Sequence, residues 1–513
     1  MKKLMSLLLV FVLSLVLVAC NDPVVSEEPT NDEASQPTTG GEENINDGLE
    51  LKPGVPVVTF CTWSFGTAEE FNMTRRTIAK FNADHDDVQI QIVEPEGDYD
   101  TFLTTKASAR ELPDVFMVNS VPKAVINYLA ADITSLTAAD SEWATVDSAL
   151  TESVTYNGKV YGIPAGQYYM GFFANMTLLA EYVAENEYAD EVFAAGSEAF
   201  TTERFISTVK SMRKVTGITD ATGVVGVNAT GDMINWLPGA LDTTGNIKHF
   251  VWNSSTLKFD YRSDVMYDAL RIIADLGSKT GQYTFDSVAS AGEAENVFGT
   301  GSAWDAFKGG KVGFVQSGTW ENFEDARGFD VEFVGYPGQR VISASDYMCV
   351  SRFAKNPELA FKVAKYLTYG EEGYQARFDI IDEEKKLDPK TPLSVTGLPV
   401  VNNAEIAAKW FEYVKLDGVE EVYNKVVAGE IELIVEGNKS IPGFQDARFQ
   451  GSTGLSYEGV RGGAVLNMSD FIWDVCSGDI TVDQYMTDMK EALAAQLNKY
   501  VTDAYAQIAA VAE

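Results

Sequence analysis

The segment KVGFVQSGTW, residues 311–320, holds a hydroxyl group that could act as a nucleophile and a flat aromatic ring. Its apolar part predicts a strand, which places Ser317, Gly318 and Trp320 at the strand end. A nucleophile elbow requires the order Gly-x-Ser-x-Gly, whereas here Gly313 stands four positions before the serine. The register therefore disfavours a serine hydrolase, and Trp320 is the stronger candidate for a functional group.

Histidines are too few for most catalytic or metal chemistry. The chain has only His85 and His249, and His85 lies in the acidic loop NADHDD, far from any elbow pattern. Zinc and manganese receptors commonly use several histidines with carboxylates, and no Asp-x-Asp-x-Asn-Gly calcium loop is present. We expect no catalytic residue, no metal and no cofactor, although a calcium site built from scattered loops stays open.

Carboxylates and aromatic rings leave two sugar-directed activities open. Glycoside hydrolysis needs two carboxylates about 5 to 10 Å apart, and 75 acidic residues supply many such pairs. Binding without reaction needs flat rings for the apolar face of a sugar and polar groups for its hydroxyls. The chain has 8 Trp and 22 Tyr, more than a core requires, since both carry a polar atom that needs a partner.

The strongly negative net charge argues against nucleic acids and anionic lipids as partners. The net charge is −36 at pH 7, so the clustered Lys and Arg that phosphate contacts require are missing. We therefore expect no nucleic acid partner and no binding to anionic lipid through the folded surface.

The N-terminus has the pattern of an exported lipoprotein. Lys2 and Lys3 precede an apolar run over residues 4–19, which is short for a membrane-spanning helix, and LVAC matches a bacterial lipobox ending at Cys20. This match implies a signal peptide over 1–19 and acyl chains on Cys20. Residues 20–54 follow as an acidic tether predicted to be disordered, with no Lys or Arg between 21 and 50.

The elements behind the strand ends form a βαβαβ pattern. VPVVTFCTW, VQIQIVEP and DVFMVNS read as strands, and helical stretches separate them. Such a pattern predicts an α/β protein with a mostly parallel sheet, whose ligands lie beyond the carboxyl ends of the strands. Trp63 and Asn119 follow the first and third strands and become candidate ligand contacts.

Three further cysteines, Cys61, Cys349 and Cys476, stand in apolar surroundings. An odd number excludes a fully paired framework. Cys61 and Cys349 would pair only if their strands are neighbours, and buried free thiols are the favoured state.

Six segments, in this order, resemble the extracellular solute-binding proteins of family 1, which serve carbohydrate ABC importers. They are the lipobox with its tether, LPDVFMVNS, YGIPAGQYYMGFFAN, KVGFVQSGTW, NPELAFKVAKYLTYGEEG and SGDITVDQYMTDMKEAL. The resemblance implies two α/β lobes, each with a mostly parallel sheet flanked by helices, that close on a sugar about a hinge. Lobe 1 would take 55–165 and 340–395, and lobe 2 would take 166–339 and 396–513. The hinge crossings would fall at GIPAGQ and GYPGQR.

The resemblance also implies ligand contacts. Gly318 and Trp320 would supply a stacking ring, and one of Gln167, Tyr168 and Tyr169 would contact the sugar while the alternation packs the others. Asp346 and Trp236 are further contacts implied in this way. Tyr457 lies in the Gly-rich segment FQGSTGLSYEGVRGG, residues 449–463, which could either close over a ligand or form a mobile surface loop.

The implied partners are a carbohydrate, the ABC permease subunits and, through the lipid anchor only, the outer face of the cytoplasmic membrane. We expect a monomer that makes and breaks no covalent bond. Two alternatives stay open: a glycan-degrading surface lipoprotein, and a binding protein for another solute such as a peptide or polyamine.

Overall fold

The computed structural model describes residues 49–65, 72–213, 223–321, 328–387, 397–414 and 417–512. The predicted signal peptide, Cys20 and most of the tether lie outside these residues. Within the described part, no helix has both the length and the apolar character needed to span a membrane.

The strands are β1 (Val57–Cys61), β2 (Gln89–Ile92), β3 (Val115–Val118), β4 (Thr155–Tyr156), β5 (Lys159–Val160), β6 (Ile163–Asn175), β7 (Val225–Val227), β8 (Trp252–Asn253), β9 (Lys258–Phe259), β10 (Val312–Gly318), β11 (Val331–Gly335), β12 (Arg340–Val350) and β13 (Glu432–Val435).

The α-helices are α1 (Met73–Asp84), α2 (Tyr99–Ala109), α3 (Val121–Ile126), α4 (Thr134–Ala139), α5 (Ser148–Ser153), α6 (Met176–Leu179), α7 (Ala189–Val192), α8 (Thr202–Ser211), α9 (Leu237–Leu241), α10 (Asp264–Leu276), α11 (Phe285–Ser290), α12 (Ala294–Phe298), α13 (Ala303–Lys308), α14 (Pro357–Leu367), α15 (Glu371–Leu387), α16 (Ala404–Phe411), α17 (Val419–Val427), α18 (Gly437–Ser440), α19 (Met468–Cys476), α20 (Val482–Asp488) and α21 (Glu491–Ala512). Short 3-10 helices span Ser141–Thr145, Ala180–Tyr182, Gly231–Asn235 and Arg461–Gly463, and a π-helical turn spans Asp446–Gln450.

The predicted βαβαβ unit is confirmed. β1 pairs in parallel with both β2 and β3, and α1 and α2 connect the three strands. Side-chain caps fix where these helices begin: Asn72 accepts from the Arg75 N–H at 3.0 Å, and Asp98 accepts from the Thr101 N–H at 2.9 Å.

One large sheet carries the rest of the architecture. Its strand order is β2-β1-β3-β12-β6-β10-β7, with β11 also paired to β6 and β13 also paired to β12. β12 runs antiparallel to β3 and β6, whereas β7 runs parallel to β10. The α/β class predicted from the sequence is therefore confirmed.

Two long strands connect the halves of this sheet. The first half of β6 pairs with β12, and its second half lies between β10 and β11. β12 pairs first with β13 and then with β6 and β3. The segments predicted as hinge crossings, GIPAGQ and GYPGQR, lie at the start of these two strands.

Two buried clusters fill the interior. One contains Phe60, Phe81 and Phe116 around β1 to β3, and the other contains Phe172 and Phe314 around β6 and β10. The lobe boundaries predicted from the sequence stay a prediction. Helix α16 packs on α15, since the Trp410 and Phe378 ring centroids lie 6.2 Å apart.

The three described cysteines are buried free thiols, as predicted. Cys61 and Cys349 each lie opposite Phe116 of β3, one from β1 and one from β12. Because a whole strand separates them, their Cα atoms are about 10 Å apart, beyond the reach of a disulfide.

Candidate ligand-binding site

Trp320 lies just past β10 and is exposed, with 36% of its surface accessible. Its indole lies over Gly318, where an added Cβ would come within 2.1 Å of the ring. Glycine is therefore required at 318 for the chain to fold the ring back over the strand end. Trp320 is therefore a surface residue and not part of the core.

Tyr168 of β6 stands beside this ring. The Trp320 and Tyr168 ring centroids are 5.7 Å apart, with an interplanar angle of 74°. The register brings them together, because Gly318 pairs with Met170 and the Thr319 N–H donates to the Tyr169 carbonyl at 2.9 Å. Burial, and then the Asp346 carboxylate, raises the pKa of the Tyr168 hydroxyl.

Glu321 adds a carboxylate to the aromatic pair. Its Oε1 accepts from Trp320 Nε1 at 3.1 Å and from Ser317 Oγ at 3.4 Å. Burial raises the pKa of this carboxyl, and the two hydrogen bonds partly oppose the rise. Ser317 thus acts as a donor that positions Glu321, which fits the sequence argument against a nucleophile.

A lysine joins two further predicted contacts. Lys439 Nζ lies 3.3 Å from Asp346 Oδ1 and 3.4 Å from Asn119 Oδ1. The lysine side chain is only 12% exposed, whereas that of Asp346 is 38% exposed. Lys439 is carried by α18, whose first N–H, from Gly437, donates to His249 Nδ1 at 3.0 Å.

Trp63 lies at the β1 end of the same edge. It is half-buried, and its ring centroid is 5.8 Å from that of Tyr99. The Tyr99 hydroxyl donates to the Met117 carbonyl at 3.0 Å, which ties the pair to β3.

These groups form a row across five adjacent strands, β1, β3, β12, β6 and β10. The row, called the cleft row below, consists of Trp63, Tyr99, Asn119, Lys439, Asp346, Tyr168, Trp320 and Glu321. Four strand spacings separate its ends, or about 19 Å. Two pairs of rings that can stack on a sugar thus lie on either side of three polar groups that can bond its hydroxyls, and Glu321 ends the row.

Two residues predicted beside Tyr168 point into the protein. Gln167 is 2% exposed, and its Nε2 donates to the Pro399 carbonyl at 2.8 Å while its Oε1 accepts from Ser343 Oγ at 3.0 Å. Tyr169 is 1% exposed and stacks on Tyr423. Strand alternation, which predicts that one of the three is outward and the others pack, accounts for this arrangement.

The structure does not bring Trp236 or Tyr457 to the cleft row. Trp236 is 1% exposed and stacks on Tyr336 with ring centroids 5.1 Å apart. The Tyr457 hydroxyl donates to Asp488 at 2.7 Å, and its ring stacks on Phe471. Both rings pack against other aromatic rings and not against residues of the cleft row.

Sequence reasoning missed Lys439, Glu321 and Tyr99. Glu321 directly follows Trp320, so its position was a usable signal. Lys439 lies on the short helix α18, and its partners Asp346 and Asn119 are 93 and 320 residues away in the chain. No local pattern could have found it.

Comparison with known proteins adds three findings. The family described as bacterial extracellular solute-binding protein matches residues 76–382, more than half of the chain. The melibiose/raffinose/stachyose-binding protein MelE of Bacillus subtilis is 27% identical over 135 residues, which cover 26% of this chain and 30% of MelE. The match thus spans less than a third of that relative.

Solved structures resemble nearly the whole fold. An ABC substrate-binding protein from Listeria monocytogenes, in complex with cycloalternan, has a TM-score of 0.56 at 16% identity over 87% of this chain and 98% of its own. A sugar transporter from Rhizobium etli, in an open conformation, has a TM-score of 0.58 at 14% identity over 86% and 99%. The two-lobed α/β fold predicted from the sequence is confirmed by this likeness.

Proposed function

Because the chain belongs to the bacterial extracellular solute-binding proteins, we propose that it captures a neutral mono- or oligosaccharide on the cleft row and delivers it to an ABC importer. One observation carries this proposal: Trp320 lies exposed against Tyr168, with Glu321 bonded to its indole N–H. This combination offers a flat apolar face next to an acceptor for hydroxyl groups.

The names of similar proteins support a saccharide. MelE is named for melibiose, raffinose and stachyose, and the Listeria structure holds cycloalternan. The shared fold and the aromatic groups of the cleft row extend this ligand class to the present chain as part of the proposal.

Lys439 favours a neutral sugar over a polyamine. Aromatic rings and carboxylates would also suit a cationic ligand. However, the Lys439 ammonium lies between Asp346 and Asn119, and it would repel a second cation at that point of the row. A hydroxyl group can instead accept from Lys439 and donate to Asp346.

Transport follows from closure of two lobes. β6 and β12 cross between the halves of the sheet and would act as the hinge. A ligand that contacts both halves favours the closed state, and the permease would recognise the surface formed by closure. In this account the chain acts by binding alone and catalyses no reaction.

The N-terminal pattern supports the location. A lipid-anchored monomer on the outer face of the cytoplasmic membrane would have acyl chains on Cys20, with residues 20–54 as its tether. Mass spectrometry of the protein from membranes would show the acylated Cys20, whereas an unmodified N-terminus would contradict the anchor.

A thermal-shift screen tests the ligand class. The C20S variant would be melted with neutral mono- and oligosaccharides, a peptide mixture and a polyamine, with sorbitol as the control for general stabilisation by polyols. A ligand at 100 times its Kd adds about 2.7 kcal/mol to the unfolding free energy. A rise in Tm with a saccharide supports the proposal. A rise only with peptide or polyamine, or release of sugar fragments during incubation, contradicts it.

A further inference from the structure

Trp473 is a second exposed tryptophan, and its side chain is not part of the buried core. It lies on α19, where buried side chains follow a helical stripe formed by Met468, Phe471, Ile472 and Val475. Trp473 is off this stripe and 52% of its surface is accessible. One part of its ring rests on Gly231, where an added Cβ would come within 2.8 Å of the indole.

Sheet geometry places this ring at the same edge of the sheet as Trp320. β7 runs parallel to β10, so the chain leaves both strands at the same edge of the sheet. The Gln316 N–H donates to Asn228 Oδ1 at 2.9 Å, which fixes the segment after β7 against the end of β10. Gly231 follows three residues later. The platform made by Trp473 on Gly231 therefore lies one strand beyond Trp320 in the order that the cleft row follows.

Asp232 supplies a carboxylate next to this platform. It keeps access to solvent, and yet surrounding protein raises the pKa of its carboxyl by burial, an effect that the Arg448 guanidinium opposes. Because Asp232 directly follows Gly231 and is exposed, it can accept hydrogen bonds from a ligand that lies on the platform.

Arg448 is the cation that interacts with the Asp232 carboxylate. It is 6% exposed, and its guanidinium lies 4.5 Å from the Phe250 ring centroid and 4.7 Å from that of Phe449. Its Nε and Nη1 have no hydrogen-bond partner among the residues that the structure describes. Burial lowers the pKa of the Arg448 guanidinium, and the neighbouring Cys476, Tyr261 and Asp232 side chains oppose this shift.

From this geometry we infer that Trp473, Gly231 and Asp232 form a second saccharide subsite, which binds a further ring of the same ligand that stacks on Trp320. The inference rests on the proposed function and deepens it. The ligand is then an oligosaccharide long enough to reach from β10 past β7, rather than a monosaccharide. Trp320 would bind one end of this oligosaccharide, and Trp473 would favour ligands long enough to reach it.

Two series of neutral saccharides that grow by one ring would test this: melibiose, raffinose and stachyose, and maltose, maltotriose and maltotetraose. Kd would be measured by calorimetry for the wild type, Trp473→Ala and Trp473→Phe. We expect Trp473→Ala to weaken the longest bound saccharide by about tenfold and the disaccharide by less than about twofold, and Trp473→Phe to recover most of the loss. Asp232→Asn should weaken the longest saccharide several-fold.

Matched controls separate binding from stability. Tyr188→Ala removes another exposed ring, and Asp268→Asn removes another exposed carboxylate; neither should change any Kd. If the wild type binds saccharides and Trp473→Ala changes short and long ones equally or not at all, the second subsite is wrong while the proposed function stands. If the wild type binds no saccharide in either series, both are overturned.

Discussion

Two tryptophan–tyrosine pairs in this protein have opposite surroundings. Trp320 and Tyr168 meet edge to face at the sheet edge, and the indole N–H donates to Glu321. Trp236 and Tyr336 stack at 15° in the core, and neither the Trp236 Nε1 nor the Tyr336 hydroxyl has a hydrogen-bond partner among the described residues. Burial therefore separates the two pairs, and only the exposed pair, with its polar partner, is accessible to a ligand.

The largest expected difference between the pairs is in stability. Trp236→Ala should lower the unfolding free energy by about 3 to 5 kcal/mol, because it empties a fully packed site. Trp320→Ala should cost about 1 kcal/mol. Urea unfolding of both variants measures the difference, and equal losses would contradict the assignment of the two tryptophans to core and surface.

The second-largest expected effect is the loss of unfolding free energy at acid pH, which comes from the buried His249. His249 stacks on Phe444 and accepts the Gly437 N–H, and burial, with the Arg448 charge, lowers its pKa to about 3. The folded state then binds a proton more weakly than the unfolded chain, so stability is complete above pH 6.5 and falls as the pH drops toward 3. From pH 7 to pH 5 the loss is about 2 kcal/mol.

His249→Gln removes this titration. Unfolding free energies at pH 7 and pH 5 should converge in the variant, whatever its absolute stability. A wild type and a variant with the same slope between these pH values would show that His249 is not the group responsible.

The smallest expected effect comes from the two tyrosine hydroxyls. Tyr336→Phe should raise the unfolding free energy by about 0.5 to 1 kcal/mol, because it removes a buried hydroxyl that has no partner. Tyr168→Phe, its matched control at the half-buried pair, should stay within about 0.5 kcal/mol of the wild type. Thermal melts resolve the two, and a clear loss in Tyr336→Phe would mean that its hydroxyl is hydrogen-bonded in solution.

The parts of the fold that the sequence predicted are those with a local signal. The βαβαβ unit follows from alternating apolar runs and helical stripes, and the strand β10, which precedes Trp320, follows from its apolar run. Strand alternation likewise separates Tyr168 from Gln167 and Tyr169.

The parts that could not be predicted depend on long-range packing. Lys439 meets Asp346 and Asn119 only because β13 brings α18 alongside β12. Trp236 lies in MINWLPG and Trp320 in QSGTWEN, and the tertiary structure buries the first and leaves the second exposed.

The central claim is that the ring of Trp320 holds a saccharide, and calorimetric titration of Trp320→Ala tests it most directly. The titrant would be the saccharide that gives the largest thermal shift with the wild type. We expect Kd to rise by about tenfold or more, since stacking contributes up to about 1.5 kcal/mol beyond the buried area, while the melting curve stays cooperative. An unchanged Kd in a folded variant would contradict the account and move the ligand away from the cleft row.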